Sequence, residues 1–178
     1  VQTGDIDASV TRYWDDTDDN NDGNPYNDPN DATDAGDNDG FLPIGAGAQF
    51  TGTHDGGGFA ISGRAVNRPD ATDVGFFAAL FGATVRNLDV DAVDITGQNN
   101  VGALAGATLN RATVAGCTVS GSVSGSGARI GGLAGYHYDN AELRNSYSMA
   151  AVKGGDRVGG LVGQLGGNDE DTAAIANA

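Results

Sequence analysis

The chain is poor in cysteine, lysine and aromatic residues, and it has no long apolar run. Cys117 is the only cysteine among 178 residues, so an internal disulfide is excluded. Lys153 is the only lysine, and 24 acidic residues against nine basic ones give a formal net charge of −15. A field of that sign repels nucleic acid, and no apolar run approaches the roughly 18–20 residues of a membrane-spanning helix. We therefore expect neither a nucleic-acid partner nor a membrane span.

Small residues take the place of large side chains in this sequence. It holds 30 glycines, yet 39% of its residues are hydrophobic, which is too many for simple disorder. A chain of this length can form one domain with a real core. Small side chains in such numbers favour thin stacked layers.

A glycine-bracketed apolar cluster recurs at a nearly constant step. It reads GALAG at Gly102–Gly106, GGLAG at Gly131–Gly135 and GGLVG at Gly159–Gly163. We take the residue before each cluster as the start of a unit, and VGFFAA at Val74 as the first unit. The units then begin at Val74, Val101, Ile130 and Val158, at steps of 27, 29 and 28 residues. Repeats of this length indicate structural units that stack on one another.

Each unit has the pattern of short strands separated by corners. Leu88 and Val90 alternate with polar residues, as do Val93 and Ile95, and no apolar stripe follows the period of a helix. Glycine and asparagine, which tolerate the left-handed backbone of tight corners, separate these segments. The pattern predicts an all-β fold, a parallel β-solenoid (β-helix) with about 27–29 residues per coil. We expect residues 1–178 to form a single solenoid domain.

Stacking also predicts which side chains share a column. Three inward columns are expected, namely Val85–Val114–Leu143, Leu88–Cys117–Ser146 and Val90–Val119–Ser148. The leucine of each glycine cluster should point into the core while the glycines let the backbone turn closely around it. Asn87, Asn145 and Asn177 should form a corner column that Gly116 interrupts. By contrast, Thr84, Thr113 and Thr118 are not expected to form a column, which argues against an ice-binding face.

The units resemble the GLUG repeat, named for its glycine–leucine–glycine cluster and found in bacterial surface proteins and beside some immunoglobulin-cleaving peptidase domains. The segments that carry the resemblance are GGLAG, GGLVG, ATVRNLDV at 83–90 and RNSYS at 144–148, and 41–63 resembles the segment before the first full repeat. The resemblance implies a section of a longer secreted or cell-surface adhesin with flanking domains in the same chain. Such repeats are scaffolds, so the ligand, a glycan or a cell-surface protein, stays open.

An aspartate-rich insertion is expected at residues 13–40. Ten aspartates and two prolines at 15–40 exclude a core strand. Within it, DDNNDG at Asp18–Gly23 places oxygen ligands at alternate positions before a glycine, as in the first half of a calcium loop. Pro29 stands where the closing glutamate of an EF-hand would be. We predict a looser calcium site with ligands drawn from Asp16, Asp18, Asn20, Asp22, Asp28, Asp37 and Asp39, while Asp31 and Asp34 are further candidates. A solvated insertion that binds no ion is the alternative.

The sequence contains no clear catalytic motif. His54 is expected in a packing or turn position, and His137 on a corner without a spaced partner. No Ser–His–Asp order, zinc-ligand spacing or phosphate loop stands out. The enzyme alternative is a carbohydrate-active β-helix, or its accessory glycan-binding domain, with acids at Asp89, Asp91 and Asp94. Their alternation with apolar residues is also what outward strand positions show.

The sequence therefore predicts a non-enzymatic structural or binding segment, supported by calcium, on the surface of a bacterium or secreted from it. Tyr136, Tyr138 and Tyr147 could offer rings on which sugars stack, as could Tyr26 and Trp14 near the insertion. Packing in the core or at corners is the alternative role for each of these rings.

Overall fold

A computed structural model describes residues 1–13, 39–166 and 173–176. Within these ranges the chain forms short β-strands and one 3-10 helix (Ser9–Tyr13). The strands are β1 (Ile6–Asp7), β2 (Thr53–Ser62), β3 (Ala65–Asn67), β4 (Thr72–Val74), β5 (Phe77–Phe81), β6 (Thr84–Gly97), β7 (Asn99–Gly102), β8 (Ala105–Leu109), β9 (Thr113–Ala115), β10 (Thr118–Gly125), β11 (Ala128–Gly131), β12 (Ala134–His137), β13 (Glu142–Arg144), β14 (Tyr147–Ser148), β15 (Ala151–Lys153), β16 (Asp156–Gly159), β17 (Val162–Leu165) and β18 (Ala174–Ala176).

The strands lie in three parallel sheets, which are the three faces of a β-solenoid. The first sheet runs β1-β2-β6-β9-β13-β18 and also includes β3, β10, β14 and β15. The second runs β4-β7-β11-β16 and the third β5-β8-β12-β17. The chain visits the three sheets in turn and then returns to the first, one layer further along. The predicted parallel β-solenoid is confirmed.

Four coils can be followed at residues 53–81, 84–109, 113–137 and 142–165, and β18 begins a fifth. We number the four as coils 1 to 4. Val74, Val101, Ile130 and Val158 are direct cross-strand partners, so the predicted steps of 27, 29 and 28 residues are confirmed. Residues 1–13 and 40–50 stack on the outer side of coil 1, through the pairing of β1 with β2 and through single bridges in the second segment.

The three predicted inward columns are confirmed. Val85, Val114 and Leu143 pair in register and are at most 1% exposed. Leu88, Cys117 and Ser146 are likewise buried, and the Cys117 amide donates to Ser146 Oγ at 3.0 Å. Val119 pairs with both Val90 and Ser148. Apolar columns of this kind bury each strand trio against its neighbours, which stabilises the stack.

The expected asparagine corner is present as a backbone conformation that recurs in successive coils. Asn87, Gly116 and Asn145 all have a left-handed backbone, with φ of 52°, 63° and 51°. The Asn87 side chain joins this corner to the preceding coil, because its Nδ2 donates to Asp55 Oδ1 at 3.2 Å. Asn177 lies outside the described residues. The corner thus repeats a left-handed backbone conformation from one coil to the next.

The glycine clusters recur because they lie against backbone. Leu104 and Leu133 are fully buried, as predicted, and the Leu104 amide donates to the Leu133 carbonyl at 3.0 Å. A methyl group at Gly135 would overlap Asn100 and the amide of Val101 in the coil before it. Gly106 and Gly163 lie against the equivalent backbone of their own neighbours. The last glycine of the cluster is therefore required by the close approach of one coil to the next.

The expectation about threonine is confirmed, since Thr84, Thr113 and Thr118 do not form one column. Thr53, Thr84 and Thr113 are direct cross-strand partners on the outer side of the first sheet, whereas Thr118 lies elsewhere on that sheet. Thr53 was not recognised as a partner of Thr84, because the segment before β6 was not aligned to the repeat. The column is one threonine wide in each coil, and Glu142 follows it.

Candidate functional site

A column of polar residues follows the strands of the second sheet, with one residue each in β4, β7, β11 and β16. Asp73, Asn100, Arg129 and Arg157 each precede the valine or isoleucine that opens a unit, and their φ values are 62°, 50°, 67° and 52°. A left-handed backbone is uncommon for residues other than glycine, asparagine and aspartate. Its recurrence in four successive coils shows that the coil geometry imposes it at this position.

The side chains of this column are joined by hydrogen bonds across coils. Asn100 Nδ2 donates to Asp73 Oδ1 at 2.7 Å, and Arg129 Nη1 donates to Asn100 Oδ1 at 3.1 Å. Arg129 Nε donates to Gln164 Oε1 at 2.9 Å. Burial raises the pKa of Asp73, while the hydrogen bond from Asn100 and the charge of Arg129 act in the opposite direction. The hydrogen bonds link the column through coils 1 to 3, and Arg129 extends them to Gln164 of coil 4, while Arg157 pairs with Asp156.

Two tyrosines stack beside this column, on the outer side of the third sheet. The ring centroids of Tyr136 and Tyr138 are 4.1 Å apart, and the ring planes differ by 17°. The guanidinium carbon of Arg129 lies 4.6 Å from the centroid of Tyr136. One ring face cannot hold both neighbours, so Tyr136 lies between Arg129 and Tyr138. Both faces of Tyr136 are thus occupied, and burial raises the pKa of Tyr138.

The stacked rings belong to an apolar cluster that is separate from the core. We call this cluster the tyrosine face, and its members are Ala79, Phe81, Ala107, Leu109, Tyr136 and Tyr138. Ala79, Ala107 and Tyr136 are successive cross-strand partners, so the face crosses three coils at about 4.8 Å per coil. At its coil 1 end it meets a cavity of about 350 Å3 lined by residues 42–43 and 45–49, Arg68 and Asp73. An apolar face beside a polar column is a combination suited to binding a sugar or a peptide.

The structure brings together only part of the predicted aromatic set. Tyr136 and Tyr138 are neighbours, as described above. Tyr147 is half exposed and pairs with Thr118 on the first sheet, away from the other two rings. Tyr26 and Trp14 lie outside the described residues.

The position predicted for His137 is wrong, whereas the packing role of His54 is confirmed. His137 is 1% exposed within β12, and its Nδ1 shares a hydrogen bond with the hydroxyl of Thr108 in the preceding coil. It therefore has a partner 29 residues away in sequence, which appears only when the coils are stacked. The His54 ring lies 6.2 Å from Phe76 and 6.0 Å from Phe77, and burial lowers its pKa.

The three candidate acids occupy outward strand positions, as their alternation suggested. Each accepts a hydrogen bond from a hydroxyl of the next coil. These bonds are Thr118 Oγ1 to Asp89 at 2.6 Å, Ser120 Oγ to Asp91 at 3.2 Å and Ser122 Oγ to Asp94 at 2.8 Å. The carboxylates thus contribute to the attachment of β10 to β6. Cys117 is equally structural in character, since burial raises the pKa of its thiol to about 11.

Of the predicted calcium ligands, only Asp39 lies within the described residues. Its carboxylate oxygen lies 3.2 Å from Arg68 Nη1, in an ion pair. Asp16, Asp18, Asn20, Asp22, Asp28 and Asp37 fall outside the described ranges, as do Asp31 and Asp34. Within residues 1–13, 39–166 and 173–176, no three acidic, histidine or cysteine side chains come together as a metal site would require.

Both described flanks of the insertion contact the same residue of coil 1. The Ala65 amide donates to Thr11 Oγ1 at 3.0 Å, and the Phe41 amide donates to the Ala65 carbonyl at 2.9 Å. Thr11 is 2% exposed, so this contact is buried. The chain therefore leaves the solenoid and returns to it at one place.

Sequence reasoning missed the column of Asp73, Asn100, Arg129 and Arg157. The signal was available, since all four stand one position before the repeat unit as it was aligned. Their side chains differ in charge and size, so a search for repeated letters passes over them. The cross-coil hydrogen bonds depend on register and could not be assigned from spacing alone.

Comparison with known proteins finds two partial relatives. Halomucin of Haloquadratum walsbyi is 41% identical over 88 residues, which are 49% of this chain and 1% of halomucin. The immunoglobulin A1 protease of Streptococcus sanguinis is 36% identical over 97 residues, which are 51% of this chain and 5% of the protease. No protein-family model and no solved structure matches the chain, so the GLUG assignment stays a prediction. The described part of the chain has no helix long and apolar enough to cross a bilayer. The chain is thus similar to short sections of two much longer proteins, one at the cell surface and one secreted.

Proposed function

We propose that this chain is a non-enzymatic structural and binding segment of a secreted or cell-surface adhesin. The observation that carries the proposal is the tyrosine face, which crosses three coils beside the hydrogen-bonded column of Asp73, Asn100 and Arg129. The in-register stack holds this surface rigid, because every coil is hydrogen-bonded to the next through three sheets. The similarity to short sections of surface and secreted proteins supports an extracellular location.

The ligand class favoured by this surface is a glycan. Tyr138 offers an aromatic ring at one edge of the tyrosine face. The neighbouring polar groups of Asn100, Asp73 and Arg129 can form hydrogen bonds with the hydroxyls of a sugar. A glycan array with the unmodified chain should therefore yield binders. A turnover assay on those glycans should yield no product. Product formation that disappears in Asp89→Asn or Asp91→Asn would favour the carbohydrate-active alternative.

Paired tyrosine variants locate the site. Tyr138→Ala should weaken glycan binding by about tenfold, since one sugar–aromatic contact is removed. Tyr147→Ala is the matched control, because Tyr147 is half exposed but lies on another sheet. Equal affinities of the two variants for a bound glycan would place the site elsewhere.

We further propose that calcium orders the aspartate-rich insertion. Ten aspartates within residues 15–40 repel one another unless a cation lies among them. The return of the chain to Ala65 at both flanks supports the proposal, because it limits the volume in which those carboxylates can spread. The ligands would come from the predicted set that begins at Asp16.

Thermal melting tests the calcium proposal. Millimolar calcium should raise the melting temperature, and sodium chloride of equal ionic strength should not do so to the same extent. The double variant Asp18→Asn with Asp22→Asn should lose the part of the increase in melting temperature that calcium causes and sodium chloride does not. The outward variant Asp156→Asn, at 69% side-chain exposure, should keep it. An unchanged melting temperature across millimolar calcium rules the site out.

A further inference from the structure

Arg64 is a buried cation with no anionic partner among the described residues. It is 1% exposed, and its guanidinium carbon lies 3.9 Å from the ring centroid of Phe41 and 4.2 Å from that of Phe76. Nη2 donates to the Gly75 carbonyl at 2.7 Å. Nε and Nη1 are buried and have no hydrogen-bond partner in the described part of the chain. Burial lowers the pKa of Arg64 to about 9, so the group is still charged at neutral pH.

The position of Arg64 in the fold makes this charge unusual. Ala65 pairs with Asp94, so Arg64 aligns with Val93 of the next coil, an inward residue that is 3% exposed. Leaving a charged group buried without an opposite charge is strongly destabilising. Two aromatic rings offset part of that penalty. The unmade hydrogen bonds of Nε and Nη1 are not offset in this way.

Arg64 lines a cavity whose other polar groups already have partners. The cavity measures about 280 Å3, and its walls are mostly apolar side chains, among them Ile6, Ile44, Ile61 and Phe76. The Asp7 carboxylate accepts from the Ser9 amide at 2.9 Å. The Thr11 hydroxyl donates to the Ala8 carbonyl at 2.7 Å and accepts from Ala65. Asp7, the other charged residue of the lining, is exposed, so the guanidinium is the buried group here with N–H groups left for an anionic ligand.

We propose that this cavity binds a small carboxylic acid with a hydrocarbon body. The carboxylate would accept hydrogen bonds from the N–H groups of Arg64 that the described residues leave without partners, and the hydrocarbon would contact Ile6, Ile44 and Ile61. The cavity volume of about 280 Å3 is slightly below the usual range for pockets that bind drug-sized ligands, so it suits smaller acids such as benzoate and hexanoate. The same chemistry could come from the terminal carboxylate of an apolar peptide. The small volume favours the free acid. This site is separate from the tyrosine face and goes beyond the function proposed above.

Calorimetric titration of the full chain tests the proposal. Benzoate and hexanoate should bind at least about tenfold more tightly than benzamide and hexanamide, which have the same shape without the charge. Acetate should bind more weakly than either acid, because it lacks the hydrocarbon. Equal affinity of acid and amide, or no binding of the acids at millimolar concentration, overturns the proposal. The proposal is also overturned if the acetylated dipeptide Val-Val, with a free carboxylate, binds more tightly than benzoate and hexanoate do.

A matched pair of variants assigns the effect to Arg64. Arg64→Met keeps an apolar side chain of similar length and should abolish the preference for acid over amide. Arg86→Met removes an arginine of which half the side chain is exposed, and which pairs with Asp55 on the outer surface, so it should leave the preference intact. A preference that survives in Arg64→Met would contradict the assignment. Should that variant not fold, the comparison of acid with amide on the unmodified chain still decides.

Discussion

Coil 1 and coil 3 fill the same cross-section with different side chains. All six phenylalanines of the chain lie between residues 41 and 81, in and around coil 1. There Phe77 is fully buried, with its ring centroid 4.9 Å from that of Phe50 and 5.0 Å from that of Phe76. The equivalent position in coil 3 is Ala134, because Phe77 pairs with Ala105 of coil 2 and Ala105 pairs with Ala134; Gly135 follows directly. One coil is filled by rings, and the other is closed by backbone lying against backbone.

The difference between the two coils reflects the neighbours against which each one packs. A coil with a neighbour on each side leaves no room at Gly135 for even one methyl group, so its sequence is constrained by contact with both neighbours. Coil 1 packs instead against the irregular segments 1–13 and 40–50, and rings can fill gaps of irregular shape. The same rings enclose His54 and Arg64. Two cationic groups whose pKa is lowered by burial, His54 and Arg64, therefore lie in the coil that departs from the repeat.

The largest effect is expected from Phe77→Ala. Removing a fully buried ring should lower the free energy of unfolding by about 4 kcal/mol, through lost transfer energy and the cavity left behind. Phe77→Leu keeps a large apolar side chain at this position, and it should cost about 1.5 kcal/mol or less, although coils 2 and 3 carry Ala105 and Ala134 there. Urea denaturation of both variants measures the two losses. Equal losses would mean that the volume of the Phe77 side chain does not determine the stability of coil 1.

A smaller effect is expected from Gly135→Ala in the regular part. The new Cβ would overlap the backbone around Asn100 and Val101 and would lie 2.7 Å from the Arg129 carbonyl oxygen. Because the atoms it meets are backbone, the coils must separate locally, at about 2–3 kcal/mol. Gly160→Ala is the control, since a methyl group there meets no atom within 4 Å. Its free energy of unfolding should change by less than about 0.5 kcal/mol. Equal tolerance of the two substitutions would remove close approach as the reason for the repeat.

The regular part of the fold was predictable from sequence, and the first coil was not. Val85, Val114 and Leu143 could be aligned because each coil makes the same demand on that position. Leu104 and Leu133 could be placed in the core for the same reason. Arg64 could not be recognised as buried, because its surroundings come from Phe41, which precedes the first unit, and from Phe76, where the next two units carry Ala103 and Gly132.

The candidate site shows the same limit. Tyr136 and Tyr138 were identified from composition, but their neighbour Arg129 depends on cross-coil register. The partner of His137 was missed for that reason, since Thr108 becomes its neighbour only when coils 2 and 3 stack. Local pattern therefore predicts the strands and the columns, while polar contacts between coils require the register itself.

The smallest effect is expected from His54, in the column of Val85 and Val114. Burial among the rings of coil 1 lowers its pKa below the ordinary 6.5. Below that pH the unfolded chain binds a proton that the folded chain resists, so the unfolded state binds more protons. The stability that depends on a neutral His54 is therefore fully present above about pH 6.5. It is lost progressively as the pH falls below that value.

His54→Val removes this titration and inserts the residue that coils 2 and 3 use in the same column. Melting temperatures measured between pH 7.5 and pH 5 should fall less steeply for the variant than for the unmodified chain. The difference between the two slopes isolates His54, because His137 is present in both chains. Parallel slopes would mean that the ring is protonated as readily in the folded chain as in the unfolded one. Coil 1 would then differ from coil 3 in side-chain volume and not in the titration of a buried group.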